Sequence, residues 1–254
     1  MFCKSVEDLA KMVPSRMTSG RSLLLIADIG GYTEYMRFHR MSLAHAEVNT
    51  GRLLEKVIDA VPDFDLIEIE GDAAFVAREA DALDGDTAVA MTLDAAMAMH
   101  RAFHSERDNV ETNFCPCGGC NQVKQLKLKF VAHIGEVATQ TIRQRRKLVG
   151  IDVIHVHRML KNPVKIPEYV LLSEELYRTA KDPMPSPAHV VSQDLEGIGR
   201  TRAYFVNVSD MSGAPAPSPK PSIIERVGKT LSVAGSGLPY MVGLRRRRAA
   251  VSPV

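Results

Sequence analysis

The sequence predicts an α+β fold: a mostly antiparallel sheet built on a ferredoxin-like β-α-β-β-α-β core, with additional strands and helices. Three observations predict it. Apolar or alternating runs of strand length are separated by long segments of helical periodicity. Gly71-Asp72 divides two of those runs as a tight turn would. The 254 residues, 45% hydrophobic and 24% charged, are enough for one sizeable domain with extra segments.

Residues 22–29 (SLLLIADI) read as a buried strand, interrupted by Asp28 and stopped by Gly30-Gly31. Residues 42–61 read as a helix with Leu43, Ala46, Leu53, Leu54, Val57 and Ile58 on one face, Ser42 as its cap and Pro62 as its stop. Residues 64–70 (FDLIEIE) alternate as a half-buried strand should, and residues 73–77 form the second arm of a hairpin. A long Ala- and Met-rich helix covers 86–104, where Met91, Met97 and Met99 are packing residues. A strand follows at 126–137 (LKLKFVAHIGEV), then a helix at 151–160 and a brief strand at 169–172. Ser173 caps a short helix (SEELYRTA), and a last strand lies at 204–208.

This gives an N-terminal extension (1–19), a folded body (20–210) with a Cys-rich insertion at 112–123, a Pro/Ser/Gly linker (211–222) and a basic tail (223–254). The net charge of +2 conceals an asymmetry. Seven basic residues face one acidic from Met211 onward, which leaves 25 against 29, a net of −4, in residues 1–210. A mildly acidic body excludes an ordinary nucleic-acid-binding domain. The four arginines 245–248 read either as a solvated tail or as a contact for an anionic surface such as a membrane. The uncharged stretch 230–244 is too short to span a bilayer, and no secretory leader is evident. Three of four cysteines fall within six residues, which suits a reducing compartment, so a cytoplasmic protein is expected.

Two acids stand out. Asp28 lies in an apolar strand, where a lone carboxylate is costly. Asp72 lies at the hairpin tip. A ferredoxin-like sheet places the first strand beside this hairpin, so both carboxylates can share a cation such as Mg2+ or Mn2+. Gly30-Gly31 leaves N–H groups free to meet phosphate oxygens. The plainer reading makes Asp28 a capping or salt-bridged acid and Asp72 an ordinary turn residue.

Residues 24–33 (LLIADIGGYT) resemble the opening motif of class III adenylate/guanylate cyclase catalytic domains. Residues 68–73 (EIEGDA) resemble their metal-binding hairpin, and 130–137 (FVAHIGEV) their strand with a His/Gly/Glu pattern. Val149-Gly150, Val153 and Arg158 resemble the start of their late catalytic helix. With its cysteines, the chain looks closest to an uncharacterised cysteine-containing bacterial branch of that superfamily.

The resemblance implies a cyclase-like fold over 20–208. It also implies conversion of a nucleoside triphosphate to a 3′,5′-cyclic nucleotide and pyrophosphate by two-metal catalysis. Asp28 and Asp72 would bind two Mg2+ or Mn2+ ions, with the Ile29 carbonyl as a further ligand. Gly30, Gly31, Tyr32 and Thr33 would cradle phosphate. Glu68 takes the base-selecting position and leans to GTP, because a carboxylate accepts from guanine's N1–H and amine. Lys147 takes the second selecting position and matches neither pattern. Arg158 would neutralise charge on the reacting phosphate. Its companion Asn falls on Ile154, which cannot bond ribose, leaving His155 as the nearest polar substitute. The family's site forms between two subunits, so a homodimer is expected. Ile154 and Lys147 keep two alternatives open: an inactive, nucleotide-binding sensor and a zinc-stabilised interaction module.

Cys115, Cys117 and Cys120 are spaced to bind a structural Zn2+, with Cys3, His104 or His100 as candidate fourth ligands. A thiol redox switch and plain reduced cysteines remain open beside it. His133 reads as a core or edge histidine. His155 and His157 lie on different faces of one helix. The basic run 143–147 (RQRRK) reads as an exposed hairpin or as a positive surface that attracts a triphosphate.

Overall fold

The computed structural model describes residues 19–38, 43–111, 122–143, 145–181 and 188–211. The chain begins with β1 (Ser19–Gly30), whose central run of apolar residues is buried on both faces. A short helix α1 (Tyr32–Phe38), which the sequence pattern did not reveal, precedes α2 (Leu43–Asp59). The hairpin β2 (Asp65–Glu70) and β3 (Ala73–Glu79) turns at Gly71, whose φ of 64° suits glycine. Then come α3 (Gly85–Glu111), longer by about two turns than the pattern predicts, and β4 (Lys127–Ile142).

The basic run forms β5 (Arg145–Val149), the second arm of a hairpin with β4, as the exposed-hairpin reading expects. After α4 (Ile151–Met159) and β6 (Tyr169–Ser173) comes α5 (Glu174–Tyr177), whose first N–H groups are capped by Ser173: its hydroxyl accepts from the Leu176 N–H. The last strands are β7 (His189–Leu195), also not foreseen, and β8 (Gly199–Asn207), which starts earlier than expected.

The sheet runs β2-β3-β1-β4-β6-β8-β7, with β5 on β4. Its first four strands have the ferredoxin-like order, β1 lying antiparallel to both β3 and β4. The β4–β6 pair is parallel. Alternation along β1 divides the core. Leu23, Leu25, Ala27 and Ile29 pack under α2 and α3, while Leu24 and Ile26 face the side that carries α4. Asp28 continues the α4-side row, and so does its cross-strand partner Lys129. Among the described residues, no helix is long and apolar enough to cross a membrane.

The linker from residue 212, the basic tail, the N-terminal extension through Thr18 and Cys115, Cys117 and Cys120 lie outside the described residues.

Candidate functional site

At the end of β1 the chain turns away through Gly31, which has φ 85° and would bring a Cβ to 3.4 Å from the Gln125 carbonyl oxygen. The Ile29 N–H reaches across to the Asp72 carbonyl at 3.2 Å. That bond holds the β2–β3 turn against the end of β1 and sets Asp72 beside Asp28. Burial, followed by the charge of Asp28, pushes the Asp72 carboxyl up to about 6.

The cation at this spot belongs to the protein itself. Lys129 Nζ lies 2.8 Å from Asp28 Oδ2. Burial works against the Lys129 ammonium, but the hydrogen bond and charge of Asp28 outweigh it and raise its pKa. The ion pair follows from register, since Asp28 and Lys129 are directly opposed on β1 and β4. With this ammonium against Asp28, the carboxylates as arranged do not fit a pair of divalent ions.

Tyr32, Thr33, Met36 and Arg37 line a shallow cleft on α1 beside these acids. The Tyr32 phenol is pushed up by burial and then by Asp72 and Glu47. Gly30, Gly31, Tyr32 and Thr33 thus share one end of the sheet with Asp28 and Asp72. Glu68 sits half-buried on β2. Lys147 does not join them within one chain. It pairs with Gln140, eleven residues along β4 from Lys129, roughly 35 Å at strand rise.

Helix α4 carries the remaining predicted residues. Ile154 is 45% exposed. Arg158 points to the β7–β8 turn, with Nη1 3.0 Å from where a Cβ on Gly197 would stand. His155 is buried against His133, with ring centroids 4.5 Å apart, and burial followed by the charge of His133 lowers its pKa. It faces the sheet rather than an incoming ribose. His157 turns the other way, to Glu70 at 3.3 Å and the Phe75 ring.

A hydrogen-bonded mount fixes α4 to the sheet. His133 is 1% exposed; its Nδ1 pairs with Ser173 Oγ at 2.8 Å and its Nε2 with Asp152 Oδ1 at 2.9 Å. The other Asp152 oxygen accepts from the Glu136 N–H at 2.7 Å. His133, read from sequence as a core or edge histidine, is therefore a core histidine with both nitrogens engaged.

Among the described residues, two clusters have the donor set to hold a metal ion: His100, His104 and Glu168, and His133, His155 and Glu175. In the first, His104 Nε2 lies 2.7 Å from Glu168 Oε1, which also accepts from the Leu128 N–H at 3.0 Å. Burial opposes the Glu168 charge, yet the imidazoles and that N–H hold its carboxyl below the usual range. Burial also lowers the His104 imidazole, against the pull of Glu168.

Lys129, Asp152 and Glu168 were not singled out by sequence reasoning. The available signal was a lysine opposite Asp28 on the neighbouring strand, readable only once the register is known.

The two carboxylates at the strand ends, the hairpin and the helix-backed sheet define a class III nucleotidyl cyclase fold. The guanylyl cyclase Cya2 superposes with a TM-score of 0.58 at 15% identity, over 79% of this chain and 96% of that one. The adenylyl cyclase CyaB from P. aeruginosa gives 0.57 at 13%, over 76% and 96%. The guanylate cyclase domain of RhGC from Catenaria anguillulae, solved in complex with GTP, gives 0.54 at 17%, over 75% and 98%. At these identities the likeness is one of fold.

The sequence family is narrower. Residues 50–169 match the family described as "Protein of unknown function (DUF2652)". The chain is 34% identical over 196 residues to the uncharacterized protein Rv2561/Rv2562 of Mycobacterium tuberculosis, covering 77% of this chain and 90% of that protein. It belongs to the same family as that protein.

Proposed function

We propose that this chain is a cyclase-fold sensor that binds a nucleoside triphosphate without cyclising it, and that it acts as a cytoplasmic homodimer. The observation that carries the reading is the Lys129–Asp28 ion pair, an internal ammonium beside the acids that the resemblance assigns to metal. An apolar Ile154 at the ribose-binding position and an inward-turned His155 support the same reading. Gly30, Gly31, Tyr32 and Thr33, with Arg37 beside them in the α1 cleft, suit the phosphates. Glu68 leans the base preference to guanine. Ile151 and Ile154 on α4 and Leu66 and Ile69 on β2 are large exposed apolar side chains that a second copy would cover.

The test is titration of GTP, ATP, CTP and UTP with Mg2+ or Mn2+, followed by an assay for cyclic product. Binding, tightest for GTP, with no product is the expected result. Cyclic product that disappears in both Asp28→Ala and Asp72→Ala would replace the sensor by an active enzyme. Failure to bind any nucleotide would leave the interaction module.

A second reading, an active Mg2+- or Mn2+-dependent cyclase, is favoured by one observation: the Asp28 charge raises the Asp72 pKa, as expected of carboxylates close enough to share a cation. It requires Lys129 to leave Asp28, with Asp28, Asp72 and the Ile29 carbonyl as ligands and Arg158 and Lys147 coming from the partner subunit. The structural Zn2+ at Cys115, Cys117 and Cys120 is compatible with both readings.

A further inference from the structure

We propose that His100, His104 and Glu168 form a zinc site between α3 and the start of β6, separate from the carboxylates at Asp28 and Asp72. α3 presents the two histidines one turn apart, with ring centroids 4.1 Å from each other, and Glu168 faces them from the residue before β6. Their ligand atoms all lie within 4.8 Å of one another.

His100 carries the argument. It is 4% exposed, and its Nδ1 has no hydrogen-bond partner among the described residues. Its Nε2 lies 3.4 Å from Glu168 Oε1, a long ion-pair contact. A buried imidazole whose nearest acceptor is one long contact is poorly satisfied, and an ion at Nε2 would replace that contact by a bond.

The distances suit a small tetrahedral ion. Ligands held at 2.0–2.1 Å from zinc lie about 3.3 Å apart at tetrahedral angles. The His100–Glu168 separation already has that value. His104, now 2.7 Å from the same oxygen, would open by roughly half an ångström on binding. The Leu128 N–H orients the Glu168 carboxylate, as outer-shell bonds commonly do for metal ligands. Two imidazoles and one carboxylate select zinc over magnesium or calcium, which prefer all-oxygen shells. His104 and Glu168, with side chains 13% and 17% exposed, leave a path for water as the fourth ligand.

The other cluster is less suited. Both His133 nitrogens are already hydrogen-bonded, and Glu175 is half exposed and 3.7 Å away. It is the mount for α4. Zinc at the first cluster would instead tie α3 to the start of β6 and, through Leu128, to β4.

The experiment is metal titration of the full chain with all four cysteines replaced by serine, using Co2+ as a visible probe and Zn2+ as competitor. The expected result is one equivalent of Co2+ with visible d–d absorption, no sulfur charge-transfer band, and displacement by Zn2+. His104→Gln and Glu168→Gln, with unchanged circular dichroism, should each weaken binding by about a hundredfold or more, since loss of an outer-shell partner alone costs 10–100-fold. No uptake by the cysteine-free chain, or uptake unchanged in Glu168→Gln, overturns the site. If the cysteine-free chain does not fold, zinc stoichiometry is compared in the natural sequence with and without Glu168→Gln. Loss of one equivalent supports the site, and equal stoichiometry overturns it.

Discussion

Gly135 makes room for Asp152. A Cβ at position 135 would stand 2.6 Å from Asp152 Cβ, with the carboxyl carbon closer still. The side chain under pressure is the one that holds His133 and the Glu136 N–H. Gly135→Ala is therefore expected to destabilise the fold by about 1–3 kcal/mol, the usual cost of overpacking. Urea denaturation checks this. A midpoint equal to that of the parent would mean α4 can lift off the sheet at no cost.

Lys129→Met tests the internal cation. Asp28 keeps its burial but loses its partner, so stability should fall by about 2 kcal/mol, less than the 3–5 for a fully buried broken pair. The same variant should bind Mn2+ at least about tenfold more tightly than the parent, because two neighbouring carboxylates are left to find another cation. Equal Mn2+ affinity in both proteins, measured by titration against the paramagnetic signal of free Mn2+, would mean that the ammonium does not compete with the metal.

Ser173 has two bonds that different elements depend on. Its hydroxyl accepts from the Leu176 N–H at 3.2 Å and pairs with His133 Nδ1 at 2.8 Å. Ser173→Ala removes the cap of α5 and leaves a buried imidazole nitrogen short of a partner. Loss of a cap costs about 1 kcal/mol, and the orphaned nitrogen a further 1 or more. Ser173→Thr retains a hydroxyl, so recovery of most of the loss in thermal denaturation is expected.

The strand and helix pattern was legible where one face was apolar and the other was not. The β2–β3 hairpin declares itself through FDLIEIE and Gly71-Asp72, and α2 through its apolar stripe. α1 was hidden because seven residues (YTEYMRF) carry too few turns to show a period. β7 lies against a single neighbour at the margin of the sheet, and its polar sequence (HVVSQDL) carries no core signal. At the site, Asp28 and Asp72 were visible as acids out of place. Lys129 was not, because a lysine in a strand means little until the register sets it opposite an aspartate. Glu168 and His100 lie 68 positions apart in sequence, and only the packing of α3 against the β6 lead-in joins them.

The Asp72 carboxyl gives the fold a pH dependence whose sign is fixed. Its folded value of about 6 lies above the ordinary carboxylate value near 4. Between those two values the folded chain binds the proton more strongly than the unfolded one, so stability from this group is full below about pH 4 and is lost as pH rises through about 6. Two units correspond to about 2.7 kcal/mol, and partial exposure reduces that to roughly 1. In chelator-treated buffer, Asp72→Asn should therefore be more stable than the parent above pH 6 by about 1 kcal/mol and equal to it near pH 4. Asp28→Asn should retain most of the parent's slope, because burial is the larger cause of the shift and the Asp28 charge the smaller. A parent curve that runs parallel to that of Asp72→Asn from pH 4 to 7 would mean that the carboxyl is free in solvent and not pressed between the turn and β1.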